Sequence, residues 1–249
     1  MSVDFRSIAD DFFVNVSLQT TMALPRSRET VLHFCETMQK QFPAMTSLYQ
    51  REKNTVVLKG DREGGSYPWM ELETHRISAG MVNPPQVEDA YTLHTWLLDR
   101  IIYYLGVSAL DIESLDVMMG FNLDFRGNRD SIVAQALLAG GPLGALAMDG
   151  AVKAIECEPG IVISLDEECY LQARLALETR TNSFQIRTGQ YDDEPISVYF
   201  TVRQYPRPGK MFDLKAAYPM QRELCEDYVT RFVVPQVIHP ISSTIAGPQ

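Results

Sequence analysis

The sequence predicts an α+β fold, with an antiparallel sheet covered by helices on one face and built as two pseudo-twofold-related halves, residues 1–110 and 111–249. Three observations carry this. Apolar residues alternate at period two in several short runs, as half-buried strands require. Runs spaced three and four apart follow them, as helices packed on a sheet require. The order strand, helix, several antiparallel strands, helix then reads twice along the chain.

In the first half, residues 12–22 place Val14, Val16, Leu18 and Met22 on one side of a strand. Ser27 is the expected N-cap of the helix that follows, in which Val31, Phe34, Cys35, Met38 and Phe42 form the core stripe. Two short strands, "SLYQRE" and "TVVLKG", flank a turn at Lys53-Asn54. A further strand over 70–76 points Met70, Leu72 and Thr74 inward and leads through a proline-containing loop to a helix opening at Ala90-Tyr91. Leu93, Leu97 and Ile101 are its buried positions.

The second half repeats the order. Residues 115–125 alternate Val117, Met119, Phe121, Leu123 and Phe125 on one side. Asn128 is the N-cap equivalent to Ser27, followed by a helix stripe of Ile132, Ala136 and Leu143. The glycine-rich "ALLAGGPLGALAMDG" is not a phosphate loop, because a helix precedes it, Pro142 removes a donor and no Gly-Lys-Ser/Thr ending is present. It predicts a helix interruption near Gly140 to Pro142. The strand region "VKAIECEPGIVISL" and a hairpin, "CYLQARLALETRTNSFQIRTG", follow. The hairpin turns Leu171, Ala173, Leu175 and Leu177, and then Phe184 and Ile186, inward, with Asp192-Asp193-Glu194 at a hairpin tip. The strand 196–202 runs into a helix opening at Ala217-Tyr218 with core positions Met220, Leu224 and Tyr228, and the tail "SSTIAGPQ" is expected to fray.

In element order, two such halves resemble the architecture of the TATA-binding protein family. No sequence motif of that family is present and its basic concave sheet is unmatched, so the resemblance implies no DNA-binding role here.

With 32 acidic and 22 basic residues the formal net charge is −10, which disfavours general nucleic-acid binding. Cys35, Cys157, Cys169 and Cys225 have no CxxC spacing, so neither a zinc knuckle nor a redox pair is indicated. Reduced thiols, an N-terminus without a signal-peptide core and the lack of a membrane-length apolar run give the expectation of a soluble cytoplasmic protein.

Two strand faces are candidate sites. On strand 70–76, Glu71, Glu73 and His75 alternate outward, a set able to hold a divalent cation or act as acid and base if further ligands converged. In the second half, three neighbouring strands would show Arg174, Arg187 and Arg203 with Tyr199, a basic patch suited to carboxylates, phosphates or an acidic partner. Solvated sheet faces are the competing reading of both. Opposite charge on equivalent faces also suggests self-association, hence a homodimer. No cofactor or metal is indicated. The leading expectation is a non-enzymatic binding or interaction module using an exposed sheet face, with an unknown protein or anionic small molecule as partner. An enzyme drawing Glu71, Glu73 and His75 together with Arg174 and Arg203 in a cleft between the halves is the alternative, and a single-stranded nucleic-acid binder stands last.

Overall fold

The computed structural model describes residues 5–51, 55–147 and 153–247. The expected turn at Lys53-Asn54 lies outside them. After a 3-10 turn at Phe5–Ser7 come β1 (Asp11–Thr20), α1 (Arg28–Gln41), β2 (Ser47–Arg51), β3 (Thr55–Lys59), β4 (Tyr67–Leu72), β5 (Arg76–Val82) and α2 (Val87–Tyr104). The chain continues through β6 (Ile112–Leu123), α3 (Arg129–Leu138), α4 (Pro142–Ala147), β7 (Gly160–Ser164), β8 (Leu171–Glu178), α5 (Ser183–Thr188) and β9 (Ile196–Gln204). It ends in α6 (Leu214–Tyr228), a π-helical stretch Val229–Ile238 and α7 (His239–Ala246).

The strands form one antiparallel sheet in the order β2-β3-β4-β5-β1-β6-β9-β8-β7, with β1 and β6 side by side near its middle. Phe12, Val14, Val16 and Leu18 of β1 are buried and pair laterally with Phe121, Met119, Val117 and Leu115 of β6. Helices seal this face. His94 of α2 lies against Val14, Cys225 of α6 approaches the carbonyls of Val117 and Phe200, and Phe34 of α1 packs on Trp96 of α2. A buried aliphatic or aromatic side chain contributes about 1.5–3 kcal/mol, so this layer supplies most of the driving force for the fold.

Local signals are met at the helix starts. Ser27 accepts a hydrogen bond from the Thr30 amide at 3.2 Å and Asn128 one from the Ser131 amide at 3.2 Å. Helix α3 stops at Leu138 and α4 begins at Pro142, the interruption its glycines predict.

Other expectations are corrected. Strand 70–76 is a hairpin: β4 ends at Leu72, β5 starts at Arg76, and the Glu73 amide donates to the Arg76 carbonyl at 2.8 Å around Thr74-His75. The expected second strand of the 169–189 hairpin is helix α5. Asn182 and Gln185 form a reciprocal capping box at its start, and Gly189 closes it at φ 70°, so local capping outweighs the alternating pattern. Phe184 is accordingly exposed, and Asp192-Asp193-Glu194 sits in the loop before β9. Within 152–165 only Gly160–Ser164 is strand among the described residues. The stripe of α6 is rotated by about one residue, burying Ala217, Tyr218, Gln221 and Cys225 ahead of Met220, Leu224 and Tyr228. Met22 and Leu143 are exposed, and the expected fraying tail is helical through Ala246.

Candidate functional site

The face of the sheet opposite α1, α2 and α6 carries the alternate residues of the same strands. Register places Glu71, Ser78, Ser17, Asp116, Arg203 and Gln172 in one row across six strands. A neighbouring row runs Trp69, Gly80, Asn15, Met118, Thr201, Arg174. From β4 to β9 these rows line a shallow trough of about 270 Å³ that crosses the β1–β6 seam, and Gln172 and Arg174 of β8 lie beyond it.

Two glycines shape this face of the sheet. A Cβ on Gly80 would lie 2.0 Å from Asn15 Oδ1 and 2.6 Å from the Val14 carbonyl oxygen, and one on Gly120 would lie 2.1 Å from the Phe13 ring. Only glycine lets the Asn15 amide and the Phe13 ring lie flat on the sheet. Asn15 Oδ1 is buried there with no hydrogen-bond partner among the described residues. Such an acceptor is costly unless something donates to it. Beside it Ser78 donates to Ser17 Oγ at 2.9 Å, and farther along the same face Ser197 donates to Asn122 Oδ1 at 2.8 Å.

Most charged groups of this face are paired, Arg174 being the exception among the described residues. Arg203 grips Asp116 through both arms of its guanidinium, at 2.7 and 2.5 Å, with the Tyr205 ring beneath it. Arg51 meets Glu71 at 2.8 Å, and Arg76 meets Glu73 at 2.5 Å. Arg180 ties Glu178 at 2.6 Å and donates to the Tyr199 hydroxyl at 2.8 Å, while Phe13 packs on the Tyr199 ring at 6.0 Å between centroids.

The sequence-derived constellations therefore divide. Arg203, Tyr199 and Arg174 share the open face, Arg174 exposed toward the β7 side. Arg187 does not join them, because it stands on α5 and stacks over Phe184 at 5.6 Å. Without it, and with Arg203 neutralised by Asp116, no three-arginine anion site forms. Glu71 shares the trough with Arg203, four strand spacings or about 19 Å away. Glu73 and His75 lie at the β4–β5 turn, His75 exposed, so these three residues do not converge as ligands or as an acid–base pair. The opposite charge of the two faces is reduced within each, by Arg51 and Arg76 on one side and by Asp116, which offsets Arg203 but not Arg174, on the other.

A larger cleft, about 540 Å³, lies between α1 and the β2–β4 edge, floored by Val31, Leu48, Val56 and Leu72 with Arg26 and Arg28 on its rim. Tyr49, Gln50 and Glu73 also line it, so it mixes an aliphatic floor with hydrogen-bonding side chains. No thiol is set up as a nucleophile in the core: burial pushes Cys35 up to about 11 and Cys225 up to about 12.

Two buried polar clusters went unread in the sequence. Between α2 and α6, His94 Nδ1 lies 3.0 Å from the Tyr218 hydroxyl, and burial drives the imidazole down to about 3. Tyr91 donates to Glu226 beside it, with Arg222 over the Tyr91 ring at 4.8 Å. Beneath α3, Arg129 is wholly buried and donates to the carbonyls of Thr179 (2.6 Å), Asp192 (2.9 Å) and Glu194 (2.9 Å). Asp130 beside it accepts from Thr179 Oγ1 at 2.7 Å and the Cys157 amide at 2.6 Å. One local signal marks Arg129: a cation in the first turn of a helix opposes the macrodipole and needs another reason to be there.

No protein-family model matches the chain, and no curated protein matches it.

Proposed function

We propose that the protein is a non-enzymatic binding module whose open sheet face receives a polar segment of a partner protein. The observation that carries this reading is the trough itself, about 270 Å³ across the middle of the sheet, in which the Ser17, Ser78 and Thr201 side chains stand between charged groups that are already paired. The Ser17, Ser78 and Thr201 hydroxyls offer hydrogen bonds to the backbone of an incoming segment. Because Arg203 and Glu71 are already paired, recognition here rests on hydrogen bonding more than on net charge, which makes a protein segment a better fit than a small anion.

The reading of two related halves belongs with this proposal. It is supported by the antiparallel seam of β1 and β6, by the equivalent caps Ser27 and Asn128, and by a helix packed behind each seam strand. On that reading the trough is where the halves meet. The enzyme alternative has Glu71 and Arg203 in the trough but lacks Glu73 and His75 beside them. A nucleic acid is the least supported occupant, given a net charge of −10 and arginines committed to carboxylates. A cytoplasmic location accords with four unpaired cysteines.

Photocrosslinking in living cells tests the site. Benzoylphenylalanine at position 201 in the trough gives discrete crosslinked species that disappear in Ser17→Arg, while the same residue at the exposed position 36 of α1 does not give them. Identical products from both positions, or none from position 201, would sink the proposal.

A further inference from the structure

The two edges of the sheet are finished differently. At the β2 edge, Arg51 pairs with Glu71, and Lys59 of β3 stands over the Tyr49 ring at 5.3 Å, the kind of charged finish that discourages strand addition. At the other edge, β7 reads Gly160-Ile161-Val162-Ile163-Ser164, carries no charge and is exposed along its whole length. Ile161 and Val162 are each 58% exposed and Ile163 37%. Its neighbour on one side is β8; on the other side no strand follows it among the described residues, so alternate backbone N–H and C=O groups point outward unpaired.

The sequence around β7 identifies what would pair there. Glu156 and Glu158 precede it and Asp166, Glu167 and Glu168 follow it. Arg207 reaches Asp166 at 2.7 Å and Glu168 at 3.3 Å, while Glu158 accepts the Thr179 amide at 2.6 Å, so both ends of the edge keep an acidic excess. A second copy is a poor occupant. Antiparallel self-pairing about Val162 sets Glu158 against Asp166 and Glu156 against Glu168 of the other copy, like charges directly opposed.

From the apolar, unguarded edge and its acidic brackets we infer that β7 is a strand-addition site for an extended segment of a partner protein, apolar at its centre and flanked by lysine or arginine at both ends. Backbone hydrogen bonds supply the binding, Ile161, Val162 and Ile163 supply apolar contact, and the carboxylates select the basic flanks. This surface is separate from the trough and does not depend on it.

The probe is a fluorescent peptide of five alternating valines and threonines with two lysines at each end, beside a counterpart with glutamates in place of the lysines. Anisotropy should show the lysine peptide bound at least about tenfold more tightly, the advantage shrinking in high salt. Val162→Lys, checked for folding by circular dichroism, abolishes binding, and Glu167→Lys with Glu168→Lys, away from the strand itself, weakens it several-fold. Ser17→Arg in the trough leaves it unchanged. Equal binding of both peptides, no binding of the lysine peptide, or full binding by Val162→Lys overturns the inference. So does a dimer in sedimentation velocity that Val162→Lys dissociates, since the occupant would then be a second copy.

Discussion

Arg129 and Arg203 come from the same half of the chain and are held in opposite ways. Arg129 is sealed from water and bound to the backbone carbonyls of Thr179, Asp192 and Glu194, in the loops on either side of α5. Arg203 lies in the open trough with about a third of its side chain exposed, fixed by one carboxylate, Asp116. The contrast separates scaffold from surface. A guanidinium whose donors go to three segments of backbone holds those segments together; one that keeps a wet edge can meet an incoming group without the fold being rebuilt.

Arg129→Met should cost the most stability. It leaves three carbonyls of the α5 loops without their donor and is expected to cost about 4 kcal/mol in urea unfolding. A loss under about 1 kcal/mol would mean that Arg129 is no clamp.

His94 extends the sealed side of the comparison to pH. Burial holds it neutral, down to about 3 in the fold against about 6.5 in the unfolded chain, so between those values the unfolded state binds the extra proton. Stability from this group is therefore complete above about pH 6.5 and falls as pH drops toward 3, by about 3 kcal/mol from pH 7 to pH 4. His94→Gln should remove this slope from the stability profile; an unchanged slope would assign the acid sensitivity to other groups.

Gly80→Val tests the open face. Its side chain meets Asn15 and the Val14 carbonyl, and an expected loss of about 2 kcal/mol in thermal unfolding should accompany disappearance of the position-201 crosslinks. Arg203→Gln is the mildest change: the guanidinium is partly in water but leaves a mostly buried Asp116 carboxylate, so the loss of stability should be about 1.5 kcal/mol. A cost as large as that of Arg129→Met would erase the distinction between the two arginines.

Local hydrogen bonding and burial made much of this fold legible in advance. The alternation of Val14, Val16 and Leu18 and of Val117, Met119 and Phe121 is visible in residues two apart, and the caps Ser27 and Asn128 act within three residues. The break between Leu138 and Pro142 follows from the glycines and proline that make it. The 183–188 segment was misread although its signal is also local: Asn182, Gln185 and Gly189 cap a helix, and their cues compete with an alternating pattern too short to decide the matter.

Which polar residues meet depends on tertiary pairing. Arg129 finds its acceptors 50 to 65 positions away, and Arg203 finds Asp116 87 positions away, because sheet order and register bring those segments together. Asn15, Ser78, Asp116 and Thr201 share a trough for the same reason: a strand's own sequence fixes which face a residue takes, and only lateral pairing fixes its neighbours on that face.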